Sequence, residues 1–83
     1  MRTIMINGSD YANGKELHQA LRRLLLLPAY YGMNADALND CLSERSEAVH
    51  LWISDPGEGD TADTLNKIRM VIEDNDGMVK ELY

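Results

Sequence analysis

The chain opens with an alternating run that predicts a β-strand. Within Arg2–Asn7, Ile4 and Ile6 alternate with Thr3 and Met5, so both faces of the strand are apolar or nearly so. Such a run is typical of a strand that is covered on both sides. A turn-forming glycine follows it directly.

A helical period begins in the next segment. Apolar residues recur there at intervals of three and four, namely Leu17, Ala20, Leu21, Leu24 and Leu25. This spacing predicts an amphipathic helix that ends before Pro28, because proline cannot continue it. The same pattern places polar residues on the outer face of the helix, namely Lys15, His18, Gln19, Arg22 and Arg23.

A second helix is predicted after a short irregular link. Asn34 is a good N-cap, and Asp36 lies in the first turn, where the helix dipole favours an anion. At about 100° per residue, one face of this helix points to the core and the other to solvent or a partner. The range 34–44 is therefore expected to bury Leu38, Cys41 and Leu42 and to expose Asp36, Asn39, Asp40 and Ser43.

The remainder of the chain predicts a strand, a helix and a short strand. Ala48–Ile53 is typical of a buried strand, and Asp60 or Thr61 can cap a helix that continues to about Asp74. Met78–Tyr83 can form a short last strand. Alternation of strands with helices predicts an α/β fold with a small parallel sheet and helical crossovers.

Length and composition limit what such a chain can be. Eighty-three residues predict a single domain, 1–83, with one modest core. The longest apolar run, Leu24–Leu27, is too short to span a bilayer, and the N-terminus has no apolar signal segment. Cys41 is the only cysteine, which excludes an internal disulfide and fits a reducing compartment. We therefore expect a cytoplasmic protein without membrane contact.

Charge is distributed unevenly along the sequence. Eight basic and fourteen acidic residues give a net charge of −6, with +2 in residues 1–23 and −8 in residues 24–83. An acidic surface repels nucleic acid and attracts basic partners. Direct binding of nucleic acid is therefore disfavoured.

No motif indicates a cofactor, metal or catalytic site. Gly8–Lys15 resembles a phosphate-binding loop, but five residues separate its glycines and Glu16 replaces the hydroxyl that binds magnesium. His18 and His50 lie far apart, and neither has the spacing to a cysteine or histidine that metal sites require. We expect no cofactor, no metal and no enzymatic activity.

Asp36 and Asp40 have a more informative setting. They lie four residues apart on one helical face, residues 24–44 contain no lysine or arginine to neutralise them, and Tyr30 and Tyr31 precede the helix. Aromatic side chains beside an unpaired acidic face are typical of an interface that meets basic groups. A solvated face and an acid–base pair remain as alternatives.

One stretch of the sequence resembles a known family. The run Leu27–Leu42 closely resembles the barstar family of intracellular ribonuclease inhibitors, as do Ile6–Gly8 and Leu17–Leu21. Trp52 falls at the family's strand tryptophan if two residues are missing before it. The likeness is good over residues 2–53 and weaker beyond. It implies a barstar-like fold with a three-stranded parallel sheet.

The resemblance implies an immunity protein that blocks the active site of a barnase-like ribonuclease, its acidic helix taking the place of RNA phosphates. The residues it carries over to the partner-binding face are Tyr30, Gly32, Asn34, Asp36 and Asp40. The expected partner is a basic, extracellular-type ribonuclease or a related toxin domain. The free inhibitor is expected to be monomeric.

Three positions depart from the family pattern. Asn39 stands in the contacting face where the family often has tryptophan, and Arg45 places a positive charge near its edge. The family also makes an acidic contact from a later helix, which falls here on Asp74 or Glu73. We include Asn39 and Asp74 in the predicted face. Asn39 and Arg45 favour an alternative function, an interaction or regulatory module that keeps the fold without inhibiting a ribonuclease.

Overall fold

The computed structural model describes residues 2–83. In this range the elements are β1 Arg2–Asn7, a short 3₁₀ turn Gly8–Asp10, α1 Gly14–Leu24, α2 Ala35–Ser43, β2 Val49–Asp55, α3 Gly59–Asp74 and β3 Met78–Glu81. The strands form a parallel sheet in the order β1-β2-β3. The predicted α/β fold, with a small three-stranded parallel sheet and helical crossovers, is confirmed.

The core lies between the helices and one face of the sheet. Alternate residues of β1 and β2 point toward it, because side chains of a strand alternate between faces. The buried strand residues are Ile4, Ile6, Val49, Leu51 and Ile53. The helices cover them with a set of leucines and isoleucines, namely Leu17, Leu21, Leu38, Leu42, Leu65, Ile68 and Ile72.

The opposite face of the sheet is open within the described residues, so the prediction that β1 is covered on both sides is wrong. Met5 is 55% exposed, its neighbour Trp52 on β2 is exposed, and so is Met78 on β3. The Lys80 ammonium lies 5.3 Å from the centroid of the Trp52 ring. In the sequence, both faces of this strand are apolar or nearly so. That pattern is the same whether the second face is covered or carries exposed, flexible methionines.

The start of α3 also differs from the prediction. The helix begins at Gly59, and Glu58 occupies the N-cap position without a side-chain cap hydrogen bond. Asp60 instead accepts a hydrogen bond from the backbone N–H of Gly14, at 2.7 Å. The residue expected to cap its own helix therefore holds the start of α1 against α3.

The sequence predicts no apolar run that is long enough to span a bilayer, and the helices can be checked against this prediction. No helix in residues 2–83 is long and apolar enough to cross a membrane.

Candidate protein-binding face

The second helix is oriented largely as the sequence predicts. Leu38 and Leu42 are buried, Cys41 is only half-buried, and Asp36 and Asp40 are exposed. Asn39 and Ser43 are exposed as well. One face of α2 therefore fills the core while the other presents carboxylates to solvent.

The link between α1 and α2, residues 25–34, folds back along α1. At one end it lines a cavity of 580 Å³ together with the C-terminal part of α2. At the other end Met33 and Asn34 lie near Gly14 and Lys15, at the start of α1. Because of this course, Tyr30 of the link and Asp40 of α2 line the same cavity.

The two tyrosines of this link have different environments. Tyr30 is 85% exposed, whereas Tyr31 is buried. The Tyr31 hydroxyl lies 2.6 Å from His18 Nδ1 and 3.5 Å from the Asn34 carbonyl oxygen. Tyr30 can therefore contact a partner, while Tyr31 fixes the link to α1.

His18 corrects the prediction that it lies on the outer face of α1. It is 5% exposed, because the returning link covers its side of the helix. Burial lowers the pKa of His18, and burial also raises the pKa of Tyr31, with a smaller contribution from Cys41. A neutral imidazole can accept a hydrogen bond from the protonated hydroxyl, which satisfies both buried groups.

Asn34 and Gly32 shape the entry to α2. Asn34 Oδ1 accepts from the Ala37 N–H at 2.8 Å, and Asn34 Nδ2 donates to the Gly32 carbonyl at 3.2 Å. A Cβ on Gly32 would lie 3.2 Å from that of Ala37, so a small residue suits this close approach. Asn34 uses its side chain to hold the helix start, and the exposed Gly32 presents no side chain at this point.

Asn39 joins α2 to the end of α3. Asn75 Nδ2 donates to Asn39 Oδ1 at 2.9 Å and to the Val71 carbonyl at 2.8 Å. Asp74 precedes Asn75 and is exposed. The structure thus brings Asp74 into the neighbourhood of the α2 surface, although the two are far apart in sequence.

Arg45 has a role that the sequence did not reveal. Its guanidinium donates to the Leu25 carbonyl oxygen, and Arg2 Nε donates to the Leu24 carbonyl oxygen at 2.9 Å. Both arginines therefore satisfy carbonyl groups at the C-terminal end of α1, where positive charge is also favoured by the helix dipole. The charge of Arg45 is turned toward its own chain.

Glu44 is a candidate that the sequence reading missed. It occupies the C-cap position of α2, is exposed, and lines the cavity together with Asp40. The signal was present in the spacing: Asp36, Asp40 and Glu44 follow one another at intervals of four, about 6 Å apart along the helix axis. We call these three carboxylates the acidic row.

The acidic row belongs to no metal-binding cluster among residues 2–83. No cluster of histidine, cysteine and carboxylate side chains in the described range could hold a metal ion. Burial, and next Glu44 and Asp40, raise the pKa of the Cys41 thiol, which therefore stays protonated and a weak nucleophile. What the arrangement offers is a set of exposed anionic acceptors on a rigid helix.

Comparisons with known proteins agree with the resemblance in the sequence. The family model Barstar (barnase inhibitor) matches residues 1–77. A protein named "Putative ribonuclease inhibitor YrdF", from Bacillus subtilis (strain 168), is 51% identical over 43 residues. That match covers 52% of this chain and 47% of the relative, so it extends over about half of each.

Proposed function

This chain belongs to the barstar family, and we propose that it is a protein inhibitor of a barnase-like ribonuclease rather than an enzyme. The observation that carries the proposal is the orientation of α2. Its apolar face is fixed in the core, so Asp36 and Asp40 are held outward, and Asp40 lines the same cavity as the exposed Tyr30. The name of the Bacillus subtilis relative, a ribonuclease inhibitor, supports the same function.

The mode of inhibition follows from the chemistry of a ribonuclease cleft. A cleft that binds RNA phosphates holds cationic donors in fixed positions. Carboxylates on a rigid helix can take the place of those phosphates through charge-assisted hydrogen bonds. We assign the central contact to Asp40, with Asp36 one turn earlier and Tyr30 beside it.

The other residues of the predicted face have supporting roles. Asn34 and Gly32 set the entry to α2. Asn39 on α2 and Asp74 at the end of α3 form the rim of the proposed contact. A typical interface covers ~800 Å² per partner, about one sixth of the accessible surface of 4911 Å², which α2 and the link can provide.

The partner that fits this face is a basic ribonuclease, or a toxin domain with a similar cationic cleft. Nucleic acid does not fit, since the acidic row repels phosphate. We propose that the inhibitor acts as a single folded domain and is monomeric when free.

The test is inhibition of a panel of barnase-like ribonucleases by the purified chain, with dissociation constants measured at stated salt concentrations. We expect tight, stoichiometric inhibition of at least one enzyme of the panel. A folded protein that inhibits none of them contradicts the proposal.

That outcome would favour a second candidate, an interaction module that has kept the fold. Asn39 is the observation behind it, because its side chain accepts a hydrogen bond from Asn75 and offers little apolar contact to a partner. Binding to a ribonuclease without loss of its activity would also favour the module.

A further inference from the structure

The cavity at the C-terminal end of α2 has two chemically different walls. The link contributes an apolar wall made of Leu26, Leu27, Pro28 and Tyr30. The helix end contributes a polar wall made of Asp40, Cys41, Glu44 and Arg45. We call this feature the side cavity.

The apolar wall contains a leucine in an unusual conformation. Leu26 has a φ of 54° and is 70% exposed. A leucine in the left-handed region is strained, and its exposure to water forgoes the stabilisation that burial gives. A glycine is the usual residue at this point after a helix, so folding alone does not explain the leucine.

The polar wall presents negative charge. Asp40 and Glu44 are exposed, and neither forms an ion pair with the residues that the structure describes. Arg45 lines the cavity, but its guanidinium donates to the Leu25 carbonyl. The two carboxylates therefore remain available to a cation from outside the chain.

We propose that the side cavity receives an arginine side chain of the target ribonuclease, and that Glu44 is a further partner-binding residue. The inference rests on the proposed function, and it extends the contact beyond the residues that the resemblance carries over. The aliphatic stem of the arginine packs against Leu26 and Pro28. Its guanidinium lies near Tyr30 and donates to Asp40 and Glu44.

Arginine fits the cavity better than lysine does. A planar guanidinium stacks on an aromatic ring and can donate to two carboxylates at once, whereas an ammonium is a compact and strongly hydrated charge. Tyr30 supplies the ring, and the spacing of one helical turn between Asp40 and Glu44 supplies two acceptors. An acidic or purely apolar segment would leave these carboxylates unpaired in the interface.

Two variants test the cavity without relying on the central aspartate. Glu44→Gln removes one charge and keeps the size of the side chain. We expect it to weaken inhibition about tenfold, because a hydrogen bond to a charged group is lost. Leu26→Gly removes the Leu26 side chain from the apolar wall and relieves the backbone strain, so inhibition should weaken about fivefold while thermal stability stays the same or rises.

The matched control is Asp10→Asn. It removes the same charge from an exposed carboxylate in the 3₁₀ turn before α1, whereas the side cavity lies beyond the other end of that helix. We expect its effect on inhibition to be less than about twofold at physiological salt, because distant exposed charges are screened.

The partner's residue is identified by double-mutant cycles between Glu44→Gln and single Arg→Ala or Lys→Ala variants around the ribonuclease active site. We expect coupling of about fivefold or more with one arginine. Coupling with a lysine instead, or none with any residue, overturns the assignment, as do Glu44→Gln and Leu26→Gly variants that inhibit as well as Asp10→Asn. If the parent protein inhibits no ribonuclease, the proposed function fails. If the parent inhibits but the two variants behave like Asp10→Asn, only the assignment of the side cavity fails.

Discussion

Asp40 has neighbours on both sides that bear on what its loss would do. It lies one turn from Asp36 and one turn from Glu44, and it shares the side cavity with Tyr30. In the free protein its side chain is exposed and forms no ion pair with the residues that the structure describes, and its neighbours one turn away are both acidic. We expect that such a side chain can be removed without destabilising the fold. The effect of its removal then falls on binding to the partner.

We expect Asp40→Ala to weaken inhibition at least about 30-fold, mainly through faster dissociation, because its cationic partners would remain buried and unpaired. Asp36→Ala should have a smaller effect, since the proposed contact is centred on Asp40. Thermal stability should stay the same or rise slightly, because like charges four residues apart repel each other. Inhibition constants and melting temperatures of the same preparations check both parts. An Asp40→Ala protein that inhibits like the parent, or that loses inhibition only by unfolding, contradicts the phosphate-mimic role.

His18 makes stability depend on pH. Burial lowers its pKa below the ordinary value of 6.5, so below that pH the unfolded chain binds more protons than the folded one. The contribution of neutral His18 to stability is therefore complete above pH 6.5 and is lost as the pH falls toward the folded pKa. Urea unfolding between pH 8 and 5.5 should show this loss in the parent and a flatter profile in His18→Gln. Equal slopes in the two proteins would show that the buried imidazole does not control this dependence.

At the scale of the elements, the entry to α2 depends on one amide side chain. Asn34 both caps the helix and bonds to Gly32. A nine-residue helix has little intrinsic stability, so its cap and its packing against the core hold it in place.

Asn34→Ala should lower the free energy of unfolding by about 1 kcal/mol, the usual cost of a lost N-cap. Asn34→Asp should keep the cap and lose only the bond to the Gly32 carbonyl, so its stability should lie near that of the parent. Chemical unfolding of the three proteins measures the difference. The cap assignment is wrong if Asn34→Ala and Asn34→Asp are equally stable.

The elements were predictable because their signals are local. The 3.6-residue period of α1 and the Asn34 cap depend on residues within one or two turns. The contacts of His18 and Asp60 were not, because each is satisfied by a segment distant in sequence: the returning link covers His18, and Gly14 binds Asp60. The same reason explains why the sequence found Asp36 and Asp40 but not the side cavity. Glu44 becomes a candidate only in the folded chain, where residues of the link line the side cavity together with it.

At the scale of the whole molecule, charge and shape act together. The net charge of −6 is carried by a chain whose α2 face holds the acidic row. The basic ribonuclease that we propose as the partner would therefore be attracted toward this protein before contact is made.

We expect the association rate to fall steeply as salt concentration rises, with a much smaller change in the dissociation rate, because salt screens the long-range attraction more than buried contacts. Stopped-flow measurements from low to high salt give both rates. The matched comparison is Asp10→Asn, which should retain nearly the same salt dependence as the parent. An association rate that is flat across this range would exclude electrostatic steering.

The open face of the sheet has a practical consequence. Trp52 is the only tryptophan of the chain, and it lies on β2 beneath Lys80 of β3, whereas the acidic row belongs to α2 on the helical side. We therefore expect its intrinsic fluorescence to report whether the last strand is attached and to respond little to events at α2. Emission from Trp52 is a built-in optical probe of the C-terminal edge of the sheet. In a complex with a tryptophan-containing nuclease, it would leave most of the binding signal to the nuclease.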